Sequence, residues 1–112
     1  MKNIIVLALC MLSFGVFAQT KNTTTSFWVA GACGMCEKTI ENAVDVKGVV
    51  AYDYDLTAHR LTITYSPAKI TIEKIHALIN AAGYDTEKSN ATDAQYNRIH
   101  QCCKYRTTGQ HP

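Results

Sequence analysis

The sequence has little length, little net charge and no long apolar run, and each absence excludes a class of protein. Its 112 residues allow one domain with a short appendage and exclude a two-domain enzyme, an eight-unit βα barrel and a doubly wound sheet. A formal net charge of +2 provides no polybasic surface for nucleic acid or an anionic membrane. The apolar run near the N-terminus is shorter than the ~20 residues that a membrane-spanning helix needs.

That apolar run belongs to a predicted secretory leader, residues 1–18. Lys2 precedes the run, and Val16-Phe17-Ala18 presents a small residue at the position where a signal peptidase cleaves. A lipoprotein modified at Cys10 is disfavoured, because the bulky Leu9 precedes that cysteine. The leader is typical of bacterial export, so we expect a periplasmic protein that is cleaved after about Ala18 and is then soluble.

Four cysteines follow the leader as two close pairs: Cys33 and Cys36, then Cys102 and Cys103. An exported protein can form disulfides, but the bridges that stabilise a small fold usually link distant segments. Pairs with such close spacing favour metal binding or redox chemistry instead.

Hydrophobic patterning predicts a ferredoxin-like α+β fold in residues 26–88. Four segments have the alternation or composition of strands: residues 26–30, 49–56, 60–65 and 84–86. Two segments space their apolar side chains as amphipathic helices: residues 36–46 and 71–82. The order βαββαβ is that of a four-stranded antiparallel sheet with two helices on one face.

The remaining segments are predicted as appendages. Residues 19–25 form a polar N-terminal arm, and residues 89–112 form a C-terminal tail that contains the Cys102-Cys103 pair. A short helix capped by Asp93 is expected in the tail, whose last residues look frayed. The side chains of His59 and His76 are expected at the surface. Trp28 is expected on the open face of the sheet, where the tail would cover it or a partner would dock.

Cys33 and Cys36 lie between the first predicted strand and the first predicted helix. Unpaired N–H groups and the positive end of the helix dipole lower thiol pKa values there, and Gly31 and Gly34 let the loop bend around an ion. Two thiolates suit soft ions of low coordination number, Cu(I) and equally Hg(II). Zn(II), which prefers four ligands, is less favoured, and no Asp or Glu lies in the loop for a harder ion.

These features make residues 26–88 resemble the heavy-metal-associated domain family. The resemblance rests on Phe27 and Val29 before Gly31, the C-x-x-C of Cys33 and Cys36, Ile40 and Ala43, Gly48-Val49, and the A-A-G-Y run that ends at Tyr84. The family usually reads G-M-x-C-x-x-C, whereas here Ala32 replaces that methionine and Met35 lies between the cysteines. In copper-carrying bacterial members a tyrosine of the final loop lies near the metal. The resemblance therefore implies Cys33 and Cys36 as ligands, with Gly34, Met35 and Tyr84 around them.

With an export leader, the resemblance implies a periplasmic mercury- or copper-binding protein that is not an enzyme. Its dithiolate would accept an ion and pass it, through a three-coordinate intermediate, to the thiolates of a membrane metal transporter such as a P-type ATPase, a mercury permease or an efflux system. The protein is expected to be a monomer, or a dimer bridged by metal or by a disulfide.

Other interpretations remain open at this stage. A thiol–disulfide oxidoreductase also has a CxxC at a helix start, but the segments are too few for a thioredoxin-like fold, and neither Pro67 nor Pro112 is placed as its cis-proline. An idle disulfide between Cys33 and Cys36 is a further alternative. The tail pair would form a second soft-metal site, with His100 as third ligand and His111 as a remote fourth. It would otherwise form a disulfide, between protomers or back to the CxxC pair. A further alternative is that the protein is a sensor or accessory module whose tail pair docks on a partner.

Overall fold

An antiparallel sheet with two helices on one face forms the body of the protein. The structure, a computed structural model, describes residues 21–110 and residue 112. Its elements are β1 (Thr23–Trp28), α1 (Gly34–Val44), β2 (Val49–Asp55), β3 (Arg60–Tyr65), α2 (Ile72–Ala81) and α3 (Asp93–Asn97). Two 3-10 turns follow, Gln101–Cys103 and Tyr105–Thr108. The predicted leader lies outside the described residues, as does His111.

The sheet has the order β1-β3-β2, and both pairings are antiparallel. Leu61 of β3 lies opposite Phe27 of β1 and Tyr54 of β2. These three side chains are buried, whereas Asp53 and Asp55 on the other face are exposed. This alternation is the one predicted for the hairpin, which is confirmed. The first strand begins at Thr23, so the last residues of the predicted N-terminal arm pair with β3.

The predicted fourth strand is reduced to a single antiparallel bridge between Val29 and Thr86. Next to it, the Ala30 N–H donates to the Asp85 carbonyl, at 3.0 Å. On the other side of the bridge the Glu87 N–H donates to the Trp28 carbonyl, at 3.1 Å, but the Trp28 N–H donates to the Glu87 side chain, at 2.7 Å, and not to its carbonyl. The ladder therefore ends after one bridge, and the chain turns back at Thr86, whose N–H donates to the Ser89 carbonyl, at 2.8 Å. The expectation of a full four-stranded sheet was wrong, although the segment lies beside β1, where a ferredoxin-like fold places its last strand.

The two helices bury the apolar positions that the sequence pattern indicates. In α1 these are Cys36, Ile40 and Val44, each four residues apart. The helix begins at Gly34, two residues before the predicted start, with Cys33 as its N-cap residue. In α2 the Thr71 hydroxyl caps the first turn by accepting from the Lys74 N–H, at 3.1 Å. Within the described ranges no helix is long and apolar enough to cross a membrane.

Two side chains expected at or near the surface are buried. His76 is 4% exposed, and its ring lies 4.2 Å from the ring of Phe27. The segment that follows α2 covers it, because Thr86 folds back against the imidazole. Trp28 is also buried, beside a cleft lined by Arg106 and Gln110 of the tail.

The C-terminal tail folds against the domain. Its helix α3 is capped by Thr92, not by the predicted Asp93: the Thr92 hydroxyl accepts from the Gln95 N–H, and the Gln95 side chain accepts from the Thr92 N–H. Of the residues expected to be frayed, 107–112, the first two belong to the 3-10 turn Tyr105–Thr108, in which Tyr105 is 1% exposed.

Candidate metal centre

The CxxC pair lies where the loop after β1 leads into α1. Cys33, as the N-cap residue, has an extended backbone, and its carbonyl accepts the first helical hydrogen bonds, from the N–H groups of Cys36 and Glu37. Cys33 is half-buried, and Cys36, one turn along α1, is completely buried. The first thiol therefore faces solvent and the second faces the core.

A tyrosine supports this loop from below. The Tyr54 hydroxyl donates to the Val29 carbonyl, at 2.7 Å. A Cβ on Gly31 would lie 2.4 Å from that hydroxyl oxygen, so glycine is required there for the close approach of loop and ring. Ala32, at the position of the usual family methionine, is exposed. Tyr54 therefore supports the loop, a role that the alternation of β2 does not indicate.

The tail brings its own cysteine pair to the same place. From Cys33 Sγ, the other three sulfurs lie at 3.7 Å (Cys36), 3.2 Å (Cys102) and 3.6 Å (Cys103). The two tail sulfurs lie 3.9 Å apart. Cys33, Cys36 and Cys103 together form a group whose sulfurs could hold one ion. We call Cys33, Cys36, Cys102 and Cys103 the sulfur cluster.

Within the sulfur cluster, Cys36 and Cys103 are joined as a disulfide, and Cys33 and Cys102 are free. Of the alternatives open from the sequence, the structure contains the bridge from the tail back to the CxxC pair. Cys36 and Cys103 are both fully buried, whereas Cys102 is exposed. His100 is exposed at the start of the 3-10 turn and lies outside the group of candidate ligands.

The free thiols influence each other. A hydrogen bond with the Cys102 thiol is the largest cause that lowers the pKa of Cys33, and the backbone N–H of Cys36 lowers it further. The same sulfur–sulfur hydrogen bond raises the pKa of Cys102. Cys33 is therefore the first of the two to become a thiolate, the form that binds metals and attacks disulfides.

The other predicted site residues, Tyr84, Met35 and Gly34, differ in how far they are exposed to solvent. Tyr84 is buried; burial raises the pKa of its hydroxyl, and the charges of Cys33 and Cys102 raise it further. Met35 is 46% exposed, so its thioether is accessible to solvent. Gly34 has open space at its Cα, with nothing within 4 Å of an added Cβ.

Contacts apart from the cysteines hold the tail in place. The Tyr105 hydroxyl donates to the Gly83 carbonyl, at 2.8 Å, and accepts from the Asp85 N–H, at 2.9 Å. The Gln110 side chain bonds both the N–H and the carbonyl of Gly31, at 3.1 and 2.9 Å. The sequence analysis missed Tyr105 and Gln110, because their partners are backbone groups that no local pattern indicates.

A ferredoxin-like domain with a cysteine pair at the start of its first helix belongs to the class of small metal-binding domains. The heavy-metal-associated domain family matches residues 26–85. The chain is a member of that family, and the resemblance seen in the sequence is confirmed.

Solved structures of similar chains agree with this membership. A structure described as the CopZ metallochaperone is 26% identical, with a TM-score of 0.54, and the match covers 57% of this chain and 98% of that one. Oxidized MerP from Ralstonia metallidurans CH34 is 26% identical, with a TM-score of 0.56 and coverage of 59% and 94%. A copper binding domain from HMA7, a P-type ATPase, is 26% identical, with a TM-score of 0.54 and coverage of 56% and 88%. A comparison with curated proteins produced no match.

Proposed function

We propose that the protein is a periplasmic carrier of a soft metal ion, Cu(I) or Hg(II), which it binds through Cys33 and Cys36. The observation that carries this proposal is the pair of sulfurs 3.7 Å apart at the start of α1, in a domain of the heavy-metal-associated family. Thiolates bind soft ions in preference to hard ones. Similarity to a metallochaperone and to MerP supports the same function.

Transfer to a membrane transporter is the second part of the proposal. Cys33 is accessible to solvent while Cys36 is buried, so an incoming thiolate would reach the ion from the side of Cys33. The similar domain of HMA7 belongs to a P-type ATPase, and a transporter domain of this kind would present such thiolates. The leader at residues 1–18 supports export to the periplasm.

The proposed carrier binds metal only when it is reduced. A sulfur in a disulfide is not a thiolate, so the bridge from Cys36 to Cys103 removes one of the two proposed ligands. We expect tight binding of Cu(I) and Hg(II) by the protein treated with a thiol reductant under anaerobic conditions. We expect no tight binding by the oxidised protein.

A metal titration with matched variants tests this function. Cys33→Ser/Cys36→Ser should abolish tight binding by the reduced protein, because it removes both ligands. His100→Gln is the control, since that exposed side chain lies outside the sulfur cluster. Unchanged affinity in the cysteine variant would exclude the carrier function at this pair.

A thiol–disulfide oxidoreductase is the second candidate, and the arrangement of the sulfurs favours it. Cys33, whose pKa is lowered, lies 3.6 Å from Cys103 of the disulfide, so a thiolate is next to a bond that it could attack. Reduction of a disulfide substrate by a dithiol, assayed without metal, separates the two functions. Catalytic turnover that is lost in Cys33→Ser would support the enzyme.

A further inference from the structure

Three sulfurs of the cluster, those of Cys33, Cys36 and Cys103, all lie within 4.8 Å of one another and could hold one ion. Four sulfurs at ~2.3 Å from one ion, at the corners of a tetrahedron, are about 3.8 Å from each other. Cys33 lies 3.7 Å from Cys36 and 3.6 Å from Cys103. Cys102 lies at the edge of this group of three, 3.2 Å from Cys33 and 3.9 Å from Cys103. Two sulfurs on opposite sides of one ion would instead be about 4.6 Å apart.

The tail does not depend on the disulfide for its position. Tyr105 makes two hydrogen bonds to the chain around Gly83, and Arg106 pairs with Asp85 at 2.9 Å. Tyr105 also stacks on Tyr84, with 5.7 Å between ring centroids. None of these contacts involves a sulfur, so reduction of the disulfide breaks none of them, and we expect the tail cysteines to stay beside Cys33 and Cys36 in the reduced protein.

We propose that Cys102 and Cys103 complete the metal centre, so that the reduced protein binds one soft ion through four sulfurs drawn from both ends of the domain. This inference rests on the proposed function, and it adds the tail cysteines as ligands. The site opens when an external dithiol reduces the Cys36–Cys103 bond: two electrons pass to the protein, both sulfurs become thiols, and the dithiol becomes a disulfide. The ion then replaces the thiol protons, which are released to solvent.

Four sulfurs would change how the protein handles its ion. Fast exchange between carriers requires an open coordination position for the incoming thiolate, and a centre that its own tail completes leaves none. Cys36 and Cys103 are fully buried, so a partner would have to displace the exposed Cys102 first. The tail therefore makes the domain retain the ion longer than a CxxC pair alone would.

X-ray absorption of the reduced protein loaded with one equivalent of Cd(II), and separately of Cu(I), tests the proposal. With Cd(II) we expect about four sulfurs per ion in the wild type and about two in Cys102→Ser/Cys103→Ser. The single variant Cys102→Ser, which keeps Cys103, should show about three. Gln101→Ser is the matched control, because this exposed side chain precedes Cys102 in the tail and has no sulfur. The tail variant should also release Cu(I) to a chelator at least about tenfold faster than the wild type, as expected if its ion has lost ligands worth roughly 1.4 kcal/mol or more.

Two results would overturn the inference and leave the carrier function intact. One is a count of about two sulfurs in the wild type that falls only in Cys33→Ser/Cys36→Ser. The other is an unchanged high count in the tail variant with a doubled molecular mass in solution, since the additional sulfurs would then come from a second copy. Loss of all tight binding in the reduced wild type would overturn the inference and the carrier function together.

Discussion

A buried histidine in α2, His76, makes the stability of the protein depend on pH. His76 Nδ1 lies 2.6 Å from the Thr86 hydroxyl oxygen. That oxygen accepts the N–H groups of Lys88 and Ser89, both at 3.2 Å. Its one proton has two acceptors within reach, His76 Nδ1 and, at the longer distance of 3.3 Å, the Ser89 carbonyl. We infer from this pattern that Nδ1 accepts and that His76 is neutral. Burial lowers the pKa of His76, and the charge of Lys88 lowers it further.

We predict that the protein loses stability in acid through His76. The folded state binds the proton less well than the unfolded state, whose His pKa is about 6.5. The contribution to stability is therefore complete above that pH and decreases as the pH falls below it. His76→Gln should reduce the change of the thermal unfolding midpoint with pH between pH 7.5 and pH 5. His100→Gln should leave this pH dependence as it is in the wild type. A slope unchanged in His76→Gln would contradict the assignment.

At the scale of elements, the end of α2 and the start of the tail depend on one glycine. Gly83 has a φ of +105°, a conformation that favours glycine. Its N–H donates to the Asn80 carbonyl, and the Tyr84 N–H donates to the Ile79 carbonyl, which is the Schellman pattern of helix ends. A Cβ at Gly83 would also lie 2.3 Å from Cγ2 of Ile99, so this turn is where the tail packs on the helix.

Gly83→Ala is therefore expected to destabilise the protein by roughly 1–3 kcal/mol, through both backbone strain and the clash with Ile99. Chemical denaturation measures the loss, and hydrogen exchange in residues 93–105 should show that the tail loosens. Gly34→Ala is the matched control, since an added Cβ there meets nothing within 4 Å, and its stability should stay within about 0.5 kcal/mol of the wild type. Equal effects of the two substitutions would contradict this account.

At the scale of the whole molecule, the disulfide ties the start of the domain to its tail. Cys36 and Cys103 are 67 residues apart in sequence. A crosslink across so long a loop restricts the unfolded chain strongly. The same bond would also exclude metal from Cys36, so stability of the oxidised protein and metal binding by the reduced protein compete for one sulfur.

Reduction of this bond should lower the free energy of unfolding of the metal-free protein by roughly 2–4 kcal/mol. Urea denaturation with and without a thiol reductant measures the difference. Cys103→Ser should match the reduced wild type and should not respond to the reductant. Cys102→Ser keeps the bridge and should respond as the wild type does. A wild-type midpoint that the reductant leaves unchanged would contradict a stabilising bridge.

Local sequence patterns were sufficient to predict most of the helices and strands of the domain. Alternation in residues 49–56 and 60–65 predicted the hairpin, because a strand buries every second side chain, and the spacing of Ile40 and Val44 predicted α1. The end of the last strand after one bridge, where the Trp28 N–H donates to the Glu87 side chain and not to its carbonyl, was not foreseen. A short edge segment has few neighbours to specify it, and its hydrogen bonds are decided by the turn that follows.

What the sequence alone determined is therefore the family, the order of elements and the CxxC pair at the start of α1, since these depend on residues close together along the chain. Only the tertiary structure decided the burial of His76 and the place of the tail cysteines. Cys103 reaches Cys36 because Tyr105, Arg106 and Gln110 bond to the chain around Gly83, Asp85 and Gly31. Contacts between such distant segments leave no periodic signal in a sequence, and they appear only when the chain is folded.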